Sequence, residues 1–125
     1  MTQNKFSLEF TQNEDIQKIE ISGFLDAQTA PVLENAIQEA INKGCNKILV
    51  NFKNLKYISS AGLGVFMGFI EQIRKEGGDI KLAEMPNNIY SIFDLLGFPM
   101  IFDISDKEDK LIVKFNNNEI PDNEL

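Results

Sequence analysis

The chain has 125 residues, 43% of them hydrophobic, which is enough for one domain with a real core. Its formal charge of −7 repels nucleic-acid phosphates and anionic membrane surfaces, so neither nucleic acid nor membrane is expected as a partner. It has no histidine, which removes the usual zinc sites and the Ser-His-Asp and Cys-His triads, and no cofactor is expected. No stretch approaches the roughly 20 apolar residues that cross a bilayer. The opening MTQNKFSLEF lacks the basic start and apolar run of a signal peptide, and Cys45 has no internal disulfide partner. Together these features predict a cytoplasmic protein, with Cys45 a structural rather than a reactive thiol.

Phe6, Leu8 and Phe10 alternate with polar residues, and Ile19 and Ile21 resume that period after the polar turn at 12–15. This predicts a β-hairpin over 5–10 and 15–22, closed by Gly23-Phe24-Leu25-Asp26. A helix follows, with Thr29 to cap it and Pro31 in its first turn. Leu33, Ala36, Ile37, Ala40 and Ile41 form its apolar face, and Gly44 stops it. Ile48-Leu49-Val50 and Phe52 show no helical period, which suits a strand buried on both faces. Leu63, Phe66, Met67, Ile70 and Ile73 mark a second helix, ended by Gly77-Gly78. Residues 80–84 read as a short strand. Asn87 or Asn88 caps a third helix that turns Ile89, Ile92, Phe93 and Leu96 inward and ends at Gly97. Residues 100–103 read as a last short strand. Ser105 can cap a final helix of about ten residues, although 111–113 fit a strand equally well. A single domain over 1–116 and a disordered, Asn-rich tail over 117–125 complete the chain. Alternating strands and helices predict an α/β fold, a mixed sheet of four to five strands with about four helices packed on it.

The most informative stretch is YISSAGLGVFMG, residues 57–68. Ser59 and Ser60 fall where the buried strand gives way to the second helix. One serine suffices to cap that helix. Ser60, Gly64, Gly68 and Glu71 then recur every three or four residues, on the side opposite Phe66 and Ile70. A glycine costs about 1 kcal/mol in a helix interior, so two on one face call for close approach of another backbone. That backbone can belong to the same domain or to a partner. A phosphate on a hydroxyl at a helix N-terminus would meet free backbone N–H groups and the positive end of the dipole. It would add about −1.5 to −2 charge to a face without bulk and disrupt a partner's contact. The stretch can thus be a binding surface and its switch.

Other motifs do not fit. A nucleophile elbow needs glycine at position 58, where Ile58 stands. Gly62-x-Gly64 misses the dinucleotide fingerprint because Met67 takes the third glycine's place, and neither a P-loop nor a calcium loop is present.

These residues resemble the signature of the STAS domain, specifically the bacterial anti-sigma factor antagonists, which read Asp-Ser-Ser/Thr/Ala-Gly-Leu-Gly after an apolar strand. Gly23-Phe24-Leu25-Asp26-Ala27, Ile48-Leu49-Val50-Asn51-Phe52 and Leu95-Leu96-Gly97-Phe98 extend the likeness over roughly residues 5–115. The resemblance implies a STAS-like fold and a non-catalytic switch. Unmodified, it would bind an anti-sigma factor that is also a serine kinase, and so free a sigma factor. Phosphorylation at Ser60, with Ser59 the alternative acceptor, would part the two proteins, and a metal-dependent serine phosphatase would reset them. Asp26, Ser59, Ser60, Ala61, Gly62, Gly64 and Gly68 would form the docking surface of a monomer or weak dimer. Two departures stand out. Ser59 replaces the family's aspartate before the acceptor, and Asn51 replaces a frequent aspartate of the central strand. Both are expected to remove negative charge near the phosphosite.

Two other readings compete. One is a STAS docking module without phosphorylation. The other is a small nucleotide-binding α/β protein using Ser60 and Asp26, disfavoured by the absent histidines and incomplete phosphate motifs. Asp26 also has a plain role open to it, as an acid that caps the turn before a helix.

Overall fold

The computed structural model describes residues 5–121. A hairpin of β1 (Ser7–Asn13) and β2 (Ile16–Leu25) leads into α1 (Ala30–Asn42), β3 (Lys47–Ile58), α2 (Ser60–Lys75), β4 (Asp79–Ala83), α3 (Asn87–Leu95), β5 (Ile104–Ser105) and α4 (Glu108–Asn116). The sheet order is β1-β2-β3-β4-β5. Only the β1–β2 pair is antiparallel; the other three are parallel, so α1, α2 and the α3 segment are crossovers. The five strands and four helices are the mixed α/β sheet expected from the alternation of periods.

Side-chain alternation along the strands divides the core in two. Ile48, Val50 and Phe52 of β3 and Ile80 and Leu82 of β4 face α1, α2 and α3, meeting Leu33, Ile37, Phe66, Ile70, Ile73 and Phe93. Leu49 and Ala83, on the other face, meet Ile16 and the Leu111 and Phe115 of α4. Gly23 makes the hairpin possible: it sits at φ 90°, and a Cβ there would lie 2.1 Å from the Lys5 carbonyl oxygen.

Several local expectations shift. Residues 100–103 are not a strand. Gly97 turns left-handed at φ 79°, a 3-10 turn covers Phe98–Met100, and Phe98 stacks on Phe102 at 5.5 Å. The strand comes later, at Ile104–Ser105. Residues 111–113 are helical, because Leu111 and Phe115, one turn apart, bury together. The Thr29 hydroxyl does not cap α1. It accepts the Asp26 N–H at 2.9 Å and donates to the Phe24 carbonyl at 2.8 Å. Pro86, not an asparagine, occupies the cap position of α3, and the Ser105 hydroxyl accepts the Lys107 N–H ahead of α4.

Past Asn116, where the tail is expected to begin, the chain stays bonded to α4. Asn118, at φ 55°, ends α4 in a Schellman turn, with Asn118 N–H bonded to Phe115 O and Glu119 N–H to Lys114 O. The chain then continues as a short strap, residues 119–121. The remainder of the expected tail, 122–125, lies outside the described residues.

The strap is tied to a charge cluster that no periodicity announced. Lys81 points from β4 into the α4 side of the core and is fully buried. Its ammonium donates to Asp79 Oδ2 at 2.8 Å, Asp103 Oδ2 at 2.6 Å and the Glu119 carbonyl at 2.7 Å, and lies 5.0 Å from the Phe115 ring centre. All three N–H donors are therefore satisfied. Arg74 holds the other Asp79 oxygen, and Lys114 the other Asp103 oxygen. Burial alone would raise the Asp103 pKa; the hydrogen bonds and charges of Lys81 and Lys114 outweigh it and hold that carboxyl below its ordinary value.

Candidate functional site

The site lies where the parallel strands β2 and β3 end side by side. Leu25 pairs with Ile58, and the Leu25 carbonyl accepts the Ser59 N–H at 2.9 Å, so the loop entering α1 is fastened to the loop entering α2. Ser59 is extended (φ −102°, ψ 175°) and takes the cap position of α2. Its Oγ accepts the Gly62 N–H over a long 3.5 Å, and its carbonyl accepts the Leu63 N–H at 3.0 Å.

Ser60 is the first helical residue and is exposed. Among the described residues its hydroxyl makes no hydrogen bond. The two serines thus divide the work: Ser59 caps, and Ser60 presents a free hydroxyl at the positive end of the α2 dipole. The N–H groups of Ser60 and Ala61, in the first turn, have no partners within the helix.

The glycines divide as well. Gly64 and Gly68 are exposed, and a Cβ on either would meet nothing within 4 Å. With Ala61, also exposed, they leave the face beyond Ser60 open to another molecule. Gly62 does not join that face. It is buried, and a Cβ there would lie 2.8 Å from Leu25 Cγ, 2.9 Å from Ile58 Cγ1 and 3.0 Å from the Leu25 carbonyl. Its part is internal: it lets the first turn of α2 rest on the ends of β2 and β3, which fixes where Ser60 sits.

Asp26 follows Leu25 directly and so lies in the loop beside Ser59. One carboxylate oxygen accepts the N–H of Gln28 at 3.0 Å and the N–H of Thr29 at 3.2 Å, and lies 3.2 Å from the Thr29 hydroxyl that is donated to Phe24. The turn-capping role is therefore real, and it holds the carboxylate at the rim of the site.

The STAS domain family model matches residues 7–111. The chain belongs to the STAS domain family. The anti-sigma-B factor antagonist of Bacillus subtilis is 32% identical to this STAS domain over 103 residues, which span 82% of the chain and 94% of the relative. Among solved structures, an anti-sigma factor antagonist from Mycobacterium paratuberculosis matches with a TM-score of 0.82 at 18% identity, covering 90% of this chain and 96% of that one. The anti-sigma factor antagonist SpoIIAA matches about equally in its unphosphorylated and phosphorylated forms. The TM-scores are 0.68 and 0.67, at 22% and 23% identity, with 89% and 87% of this chain and 97% of each structure covered. At these identities the structural likeness speaks for the fold.

One family departure has a different meaning from the one its position in sequence implied. Asn51 is not near Ser60. Seven residues separate it from the end of β3, roughly 20 Å at strand rise, and it faces the opposite side of the sheet. It is buried there, donating to Glu108 Oε2 at 2.5 Å and accepting the Lys53 N–H at 2.8 Å. It links the central strand to α4.

The sequence reading also passed over an aromatic pair close to the site. Tyr57, 46% exposed, stands 5.3 Å from Phe24 on the face of the sheet opposite Leu25 and Ile58. The signal was available in the alternation of Tyr57 with Ile58, had β3 been followed through its register shifts to its full length. Among the described residues no cluster of three or more acidic or thiol ligands could hold a metal, and no helix is long and apolar enough to cross a membrane.

Proposed function

We propose that this STAS domain is an anti-sigma factor antagonist working as a non-catalytic phosphorylation switch in the cytoplasm. Unmodified, it docks through the exposed face of α2 on an anti-sigma factor that is also a serine kinase, and the sigma factor is set free. The kinase transfers the γ-phosphoryl group of ATP to the Ser60 oxygen, the hydroxyl proton is lost, and ADP leaves. The phosphoserine carries about −1.5 to −2 charge and added bulk into an interface built around a small neutral hydroxyl, so the partners separate. A serine phosphatase reverses the step.

The observation that carries this reading is the exposed, unbonded Ser60 hydroxyl at the head of a helix face kept open by Gly64 and Gly68. The names of the relatives agree with it. Ser59, committed to the cap, is the poorer acceptor.

The test is to incubate the protein with ATP and the anti-sigma factor kinase of the same genome and weigh the intact chain. One added phosphate, lost in Ser60→Ala, is expected. Calorimetry on Ser60→Asp should show binding at least tenfold weaker than for Ser60→Ala, since moving from mostly bound to mostly free takes up to about 5.5 kcal/mol. Equal affinities for the two variants would overturn the switch and leave a docking module without phosphorylation.

A further inference from the structure

The exposed face of α2 does not end at Gly68. At 3.6 residues per turn, Ser60, Gly64, Met67, Glu71 and Arg74 fall on one stripe about 80° wide, with Gly68 and Lys75 on its flank. The far end of that stripe is walled by the strap. Ile120 and Pro121 line a groove of about 530 Å³ whose other surfaces include Met67, Ile70, Glu71 and Ile101. Met67 is 42% exposed and Ile120 is 53% exposed, so the groove is open, and its apolar lining is rimmed by Glu71, Arg74 and Lys75.

The wall is fixed. Lys81 is fully buried, and its third N–H is satisfied by the Glu119 carbonyl, the residue just before Ile120. Lifting the strap would leave a buried ammonium short of an acceptor, which the fold resists. The wall also belongs to this chain rather than to the family match, which ends at residue 111.

From Ser60 to Glu71 is about 16 Å along the helix axis. A standard protein interface covers about 800 Å² per partner, roughly 30 Å across. A partner whose contact patch starts at Ser60 and runs along the stripe therefore reaches the strap, and Gly64 and Gly68 hold nothing away from the surface on the way. We infer that the docking surface is composite, made of the α2 stripe together with the latched strap, and that the groove between them receives an apolar side chain of the same anti-sigma factor that covers Ser60. The inference rests on the docking reading of α2 given above.

The test compares Ser60→Asp, Ile120→Asp and a chain ending after Glu119, each titrated with the anti-sigma factor kinase of the same genome. Ile120 is exposed and its substitution leaves the Glu119 carbonyl in place, so thermal melts should stay near the parent; the truncation is the second route should they not. Both strap variants should bind at least tenfold more weakly, while phosphorylation at saturating kinase proceeds at the parent rate. Weaker binding for Ser60→Asp alone overturns the composite surface and leaves the switch standing. Weaker binding for the strap variants alone keeps the surface and removes the switch. Parent affinity in all three removes both. Two results reassign the groove and overturn the inference: tighter binding by the chain ending after Glu119 gives it to the chain's own end, and loss of self-association with unchanged partner affinity in Ile120→Asp gives it to a second copy.

Discussion

Adding one methyl group to Gly62 or to Gly64 should change stability in opposite directions. At Gly62 the new carbon would lie 2.8 Å from Leu25 Cγ and 2.9 Å from Ile58 Cγ1, both on buried side chains, and 3.0 Å from the Leu25 carbonyl, which already accepts the Ser59 N–H. The side chains can give a few tenths of an ångström; the carbonyl cannot without disturbing the Ser59 bond. Overpacking of this kind costs about 1–3 kcal/mol, and the helix preference of alanine over glycine returns up to about 1 kcal/mol of it. Gly62→Ala should therefore destabilise by about 1–2 kcal/mol. Gly64→Ala meets nothing within 4 Å and keeps the full helix preference, so it should stabilise by up to about 1 kcal/mol. The two variants should differ by roughly 10 °C in thermal midpoint, followed by far-UV circular dichroism. If Gly64→Ala is destabilised as much as Gly62→Ala, the α2 face lies against the chain's own core and the docking surface is lost with it.

Three further outcomes follow from the buried charges. Lys81→Met removes the ammonium that Asp79, Asp103 and the Glu119 carbonyl share, leaving the two carboxylates with Arg74 and Lys114 alone. Urea unfolding should show a loss of about 3–5 kcal/mol; a change within 0.5 kcal/mol, on the order of an ordinary surface substitution, would show the cluster to be incidental. The folded pKa of Asp103 is held below its unfolded value, so its contribution is present above the unfolded pKa and is lost as pH falls through the folded one. Stability measured downward from pH 5 should fall less steeply in Asp103→Asn than in the parent, and parallel slopes would contradict the assignment. Asn51→Asp introduces the residue common in the family but sets a second carboxylate against Glu108, which pairs with Lys18 at 3.1 Å. Losing the buried bond should cost about 1–3 kcal/mol in urea, and Glu108→Gln should recover part of it.

The sequence made the fold legible wherever a period was sustained. The α1 face, the buried β3 run and the hairpin all follow from spacing alone; of the residues that mark α2, Met67 is instead 42% exposed, and Leu96, expected inward after α3, is 54% exposed. It misplaced β5 because Ile101 and Phe102 look like strand residues, while the left-handed Gly97 and Pro99 commit the chain to a tight turn first. It made the Asn-rich end look featureless because Asn118 acts through one backbone conformation, which composition does not express. Lys81 was invisible for a related reason: in a short strand, lysine reads as a solvent-facing residue, and its three acceptors come from β4 itself, the segment before β5 and the strap. At the site, the sequence located Ser59, Ser60 and the open glycines. It could not separate Gly62 from Gly64, since that depends on which strand ends lie beneath each turn of the helix.

That separation bears on how a switch at Ser60 acts. The cap hydroxyl of Ser59, the Ser59 N–H bonded to Leu25 and the absent side chain of Gly62 together pin the first turn of α2 to the ends of β2 and β3. A turn held this closely has little room to rearrange around an added phosphate, while the Ser60 oxygen already faces outward with space around it. The domain can thus accept the modification without changing its own packing, and the cost falls on whatever is bound to the α2 stripe. A switch of this kind needs no second conformation of the domain. In the proposed switch the charge would be read at the surface, and the rigidity beneath it would keep the free energy of phosphorylation from being spent inside the fold.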